Sequence, residues 1–217
     1  MSDFYAEWER PEFDSVPTLA ENAVWRLPGC DDTVLRKLLQ ESYRDFCRRS
    51  AALRTWRKIR LEPNETHYPI APLLAGEIDC VTQVIWAGRR VPVRRWMVTG
   101  DVPPMLELPH AYVGRHCVEE TTDGRQWCVM VEAIEIPNIS EERAPKTFLR
   151  RYGDAIIDGA LARMFSMQGR AWTDAEQARQ HAVAYENAIS EARIRGMQGG
   201  PAANAGKMNA LDLSGMV

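Results

Sequence analysis

From about residue 34 the hydrophobic positions recur at helical spacing. Val34, Leu35, Leu38, Leu39, Ser42, Tyr43, Phe46 and Cys47 share one face, and Arg36, Lys37, Glu41, Arg44, Asp45 and Arg48 fill the other. Asp31 or Asp32 can start the helix, because a carboxylate there accepts from the orphan amides and complements the dipole. The pattern predicts an amphipathic helix over about 31–59. Upstream, Pro11, Pro17 and Pro28 interrupt the chain, and Leu27-Pro28-Gly29 reads as a turn.

Between about 66 and 137 the period shortens to that of strands. Val81 to Trp86, then Ala87-Gly88-Arg89-Arg90, then Val91 to Trp96 reads as strand, turn and strand. Cys117 to Thr122, Asp123-Gly124 and Arg125 to Val131 make a second hairpin, since Asp-Gly between β-rich runs favours a tight primed turn. Pro69, Pro72, Pro92, Pro103 and Pro104 suit edge strands and loops. The region is read as a small antiparallel β insertion.

Helical spacing returns after Pro137, and a helix is expected over about 141–168. Phe148, Leu149, Tyr152, Ile156, Ala160, Met164 and Met167 form its inward face. Ser140-Glu141-Glu142 would cap it, and Pro145 is tolerable only near its start. Gly169-Arg170 stops it. Thr173-Asp-Ala-Glu176 then reads as a capping box opening a last helix over about 173–195, with Ala178, Ala182, Tyr185, Ile189 and Ala192 inward. Beyond Gly196, the glycine- and alanine-rich stretch from Gly199 to Gly206 has too little bulk for a core. Met208, Leu211, Leu213 and Met216 follow it with nothing local to pack on, although a linker or tag would also account for Gly199-Gly200.

The expected fold class is therefore α+β: mainly an α-helical bundle with an antiparallel β insertion and an extended C-terminal tail. Residues 1–196 are read as a single domain and 197–217 as a flexible partner-binding tail. Its anchors would be Met208, Leu211, Leu213 and Met216. No internal repeat is visible.

Composition narrows the function classes. A hydrophobic share of 45% and a charged share of 26% are ordinary for a globular chain, and a net charge of −3 gives no global basic field. The apolar runs are too short to span a bilayer, and the start is acidic and aromatic rather than signal-like, so cytosolic synthesis is expected. Five cysteines, with no Cys-x-x-Cys pair, argue for neither a disulfide framework nor a zinc ribbon.

Candidate chemistry is sparse. Gly200 to Lys207 has the wrong length for a phosphate-binding loop, and Met208 stands where Ser or Thr should bind magnesium. His116, Cys117 and Cys128 are the one candidate metal cluster; counting from the Asp123-Gly124 turn pairs Cys128 with Glu119 and sets Cys117 diagonal to it. Three such residues fall short of the usual four zinc ligands, so half-buried filler is the plainer account. His67, His110 and His181 form no ligand pair, and no Gly-x-Ser-x-Gly elbow occurs. Glu119-Glu120 and Glu141-Glu142 suit a solvated strand and a helix start. The expectation is no enzyme, no cofactor and no metal. Arg48, Arg49, Arg54, Arg57, Lys58 and Arg60, with Leu53 and Trp56 among them, form a basic segment. It is either a solvated helix face, a site of intersubunit ion pairing, or a phosphate-contacting surface of a cytoplasmic helical nucleic-acid-binding protein.

Two passages together point elsewhere. Leu27-Pro-Gly-Cys-Asp-Asp, followed by Leu35, Leu38-Leu39 and Tyr43-Arg-Asp-Phe-Cys-Arg-Arg-Ser50, resembles the opening helix of the head-to-tail adaptors (connectors, tail tubular protein A-like) of tailed bacteriophages. Tyr152-Gly-Asp-Ala-Ile-Ile-Asp-Gly-Ala-Leu-Ala-Arg-Met164, with Arg170-Ala-Trp-Thr-Asp and the helix through Tyr185-Glu-Asn-Ala, is similar to the helix pair near their end. Together the passages cover roughly half the chain. Relatives often carry tryptophan soon after the Ser50 equivalent, whereas here Leu53 comes first and Trp56 a turn later. The resemblance implies a virion structural protein of the neck, assembled in the bacterial host cytoplasm as a ring, usually of twelve copies, beneath the portal. It further implies a C-terminal segment reaching the portal protein, a β region facing the next tail component (nozzle or tail tube), and a lumen that conducts DNA during ejection without reading sequence. No membrane partner is implied. A net acidic chain suits such a conduit, because strong phosphate attraction would retard the genome.

Overall fold

Helix-forming and strand-forming stretches segregate along the chain into two compact units. A computed structural model describes residues 11–27, 30–60, 67–86, 89–91, 97–98, 105–107 and 128–197. Met1–Ala52 and Glu142–Val217 contribute one unit, and Leu53–Glu141 the other. Helices and antiparallel sheets both occur, so the chain is α+β.

In the helical unit, α1 (Ala20–Ala23) is a single turn, flanked by 3-10 turns at Val16–Leu19 and Val24–Arg26. Then come α2 (Asp32–Ser50), α3 (Lys146–Phe165) and α4 (Ala175–Met197). Asp31 caps α2, its Oδ1 accepting from the Thr33 amide at 2.8 Å. Leu35, Leu38, Leu39, Ser42, Tyr43, Phe46 and Cys47 are buried as the spacing requires. The helix stops at Ser50, not near residue 59. Ala51 turns left-handed with φ 54, and its amide closes on the Cys47 carbonyl. The Ser50 hydroxyl donates to the Phe46 carbonyl at 2.6 Å and accepts from the Ala52 amide at 3.2 Å, fixing the exit.

Helix α3 is enclosed on most sides; within it only Thr147, Arg150, Arg151 and Asp154 are exposed. That burial explains why its apolar residues do not confine themselves to one stripe. Its start also differs from expectation. Arg143–Pro145 is a strand, and Pro145, extended at φ −56 and ψ 131, precedes the first turn. Gly169, at φ 72, lies in the turn after it. The cap of α4 is Asp174 rather than Thr173: its Oδ1 accepts from the Glu176 and Gln177 amides at 2.9 and 3.0 Å. Thr173 instead donates its hydroxyl to the Met167 carbonyl and accepts from the Arg170 amide, tightening the turn.

Phe46 is the hub of the helical core. Its ring lies 5.1 Å from Tyr152, 6.2 Å from Phe148 and 6.1 Å from Tyr185. Glycine lets α3 and α4 close: a Cβ on Gly159 would sit 2.7 Å from the Tyr185 ring. A two-stranded ribbon of β1 (Phe13–Ser15) and β9 (Arg143–Pro145) ties the start of the chain to α3. The Val16 amide donates to Glu142 and the Lys146 amide to Glu12, continuing the ribbon at its ends.

The other unit holds β2 (Arg54–Arg60), β3 (His67–Pro69), β4 (Gly76–Trp86), β5 (Arg89–Val91), β6 (Met97–Val98), β7 (Met105–Glu107) and β8 (Cys128–Pro137). Among the described residues they form a four-stranded sheet in the order β2-β8-β4-β5 and a three-stranded sheet in the order β3-β7-β6. All pairings are antiparallel. The expected strand ending at Trp86 is present, but the return strand starts at Arg89, opposite Trp86, two residues before the expected Val91, and residues 92–96 lie outside the described residues. In β4 the pairing skips a residue between Ile78 and Cys80 and again between Val81 and Gln83. The two bulges put Ile78, Val81 and Val84 opposite Glu135, Ala133 and Val131, so a spacing of three still serves one face of a strand.

Candidate functional site

The four tail residues expected to anchor a partner, Met208, Leu211, Leu213 and Met216, lie outside the described residues. So do His110, His116, Cys117, Glu119, Glu120 and the Asp123-Gly124 turn of the second hairpin, and the same holds for Gly200 to Lys207. The described start of that hairpin's second arm belongs to β8, where Cys128 stands opposite Arg60. Among the described residues no cluster of three or more His, Cys, Asp or Glu side chains is placed to hold a metal.

The basic segment is not one helical face. Arg48 and Arg49 end α2, whereas Arg54–Arg60 is β2. Alternation along β2 puts Thr55 and Arg57 on one face and Arg54, Trp56 and Lys58 on the other. Arg49, Arg54 and Arg57 each face a carboxylate. Arg49 grips Glu186 on α4 with both terminal nitrogens, one of these bonds measuring 2.7 Å, and its other neighbour is Asp45. That bonding raises the Arg49 guanidinium and holds the Glu186 carboxyl below its ordinary range. Arg57 pairs with Glu135, and its Nε donates to the Ala71 carbonyl at 2.8 Å. Burial pushes the Arg57 guanidinium down to about 10, which leaves it charged near neutral pH.

Around Arg57 lies a connected polar group of the sheet unit. Glu135, 1% exposed, accepts from the Thr55 hydroxyl, from the Leu73 amide at 3.0 Å and from the Leu74 amide at 3.2 Å. Glu141 accepts from the Ala75 amide at 2.7 Å, and the Asn138 amide donates to the Ala75 carbonyl. Two buried carboxylates therefore strap residues 73–75 down, and Arg57 holds Ala71. The expected role of Glu141 as a helix-dipole partner is thereby corrected. Glu132, on the other face of β8, accepts from the bulged Thr82 hydroxyl and lies 3.6 Å from Arg54.

In the helical unit, the Tyr185 hydroxyl donates to the Ser42 carbonyl at 2.9 Å and to Asp45 Oδ2 at 3.0 Å. Burial, and then the Asp45 charge, push this phenol well above its ordinary range, so it stays a donor at any physiological pH. Arg163 lies 3.7 Å from both Glu41 and Asp45. His181 Nδ1 is 2.8 Å from Asp158 Oδ1, and its ring stacks on Phe165. Beside that pair is a cavity of about 240 Å³ lined by Asn22, Asp154, Ile157 and Asp158. These contacts lock α2, α3 and α4 together.

No family model matches this chain, and no curated protein matches it. Among the described residues no helix is long and apolar enough to cross a membrane. Among the described residues, the exposed large apolar side chains Val24, Trp25, Leu73, Ile139, Val183 and Ile194 are a signal that periodicity could have raised only for α4. There Val183 and Ile194 stand opposite the buried Tyr185, Ile189 and Ala192 stripe, eleven residues apart and so on one outer line of the helix.

Proposed function

We propose that this chain is a head-to-tail adaptor of the tailed-bacteriophage kind, a structural protein of the virion neck with no catalytic role and no cofactor. One observation carries the proposal. The two passages that resemble the adaptors are the same ones that build the helical core: Leu35 to Cys47 on α2, Gly153 to Met164 on α3, and Tyr185 on α4.

On this reading the unit is a helical bundle within a ring of twelve copies between the portal protein and the next tail component. DNA passes through the ring without sequence-specific contact. The sheet unit faces the tail, and the tail segment after Gly196 reaches the portal. Its energetics favour a ring over a lone subunit. Burying Met208, Leu211, Leu213 and Met216 yields about 1.5–3 kcal/mol each. Ordering some ten residues costs on the order of 1–2 kcal/mol apiece. Docking thus needs main-chain pairing with the partner and many tails engaged at once.

Electron microscopy of the full chain mixed with its portal protein tests this. A twelve-fold ring on the portal is the expected result, and the absence of any ring across mixing ratios overturns the proposal. Ending the chain after Gly196 should abolish docking and leave the helical content intact; normal docking of that variant would remove the tail from the account.

A further inference from the structure

We draw no further inference here: the strongest candidate, the start of α3 where Lys146, Arg150 and Arg151 lie on its first two turns and no side chain caps it, is a helix N-terminus among surface cations, and nothing in the structure shows what binds there.

Discussion

The helical unit and the sheet unit of one chain are held by different means. In the first, aromatic rings from the two other helices meet on Phe46, and one of them, Tyr185, also bonds through its hydroxyl to α2. In the second, Glu132, Glu135 and Glu141 are buried, at 6%, 1% and 5% exposure, and each anchors a neighbouring strand or loop. Apolar packing tolerates small displacements, because dispersion is spread over many weak contacts. A buried carboxylate does not, because losing one donor leaves the charge uncompensated. The sheet unit is therefore the more specifically wired of the two, and the helical unit the more redundantly packed.

The largest effects test that contrast directly. Phe46→Ala should cost about 3–5 kcal/mol through the cavity it leaves. Glu135→Ala should cost a similar amount, about 3–5 kcal/mol, by stranding Arg57 and the amides of Leu73 and Leu74. Amide exchange should show the first loss over the helical unit and the second over residues 53–141; protection lost equally in both units would break the comparison. The double change Arg57→Met with Glu135→Leu should stay destabilised, because the two amides still lack an acceptor. Full recovery in that variant would mean that the ion pair, and not the strap, is what the carboxylate serves.

Close approach in the helical unit gives a smaller effect. Gly159→Ala drives a methyl group against the Tyr185 ring, and overpacking of this kind costs about 1–3 kcal/mol. Denaturant melts of Gly159→Ala, of a Tyr185 truncation and of the pair should be clearly non-additive; simple additivity would mean that the two residues do not meet. Below that, Asp31→Ala should remove about 1 kcal/mol by uncapping α2, read as a drop in thermal midpoint that Asp31→Ser largely avoids. An equal loss in both variants would exclude capping as the cause.

The smallest effect is electrostatic. Glu186 is held below its ordinary range by Arg49, so its contribution is present above the unfolded carboxyl value. That contribution is lost as pH falls through the lower folded value. Glu186→Gln should lower stability slightly at neutral pH and leave the most acid conditions unchanged, so that the acid limb flattens by the small amount an exposed pair contributes. A steep acid limb identical to that of the parent would show that the pair adds nothing.

Sequence pattern made α2 legible because a one-sided apolar stripe and an aspartate cap agree with each other. The end of α2 was not legible. Leu53 and Trp56 prolong helical spacing, and no glycine marks the left-handed residue, which is Ala51. What turns Arg54–Arg60 into a strand is β8, more than seventy residues downstream, and local propensity has no knowledge of it. The bulges of β4 hid a strand face behind a three-residue period. The carboxylate strap was illegible for a similar reason: Glu135 and Glu141 look like surface residues until residues 73–75 are folded over them. The α+β class and the strand that ends at Trp86 needed only neighbours, and both were readable; Arg89 and Arg90, which read as turn residues, pair as β5 instead. The candidate anchors Met208 to Met216 lie beyond the described residues, and their role rests on the proposal alone.

The order in which the strands enter the four-stranded sheet also bears on how the chain matures. β8 lies between β2 and β4 yet is synthesised last of the four. Only β4 and β5 can pair as they emerge, and β2 must wait until residue 128 and beyond. Helix α2 waits longer still, because its apolar face is covered by α3 and α4, from residue 146 onward. During synthesis the inserted unit therefore completes first, although the helix that precedes it is made earlier. Leu35, Leu39, Tyr43 and Phe46 travel through that interval without the cover of α3 and α4, which leaves apolar surface open on the nascent chain.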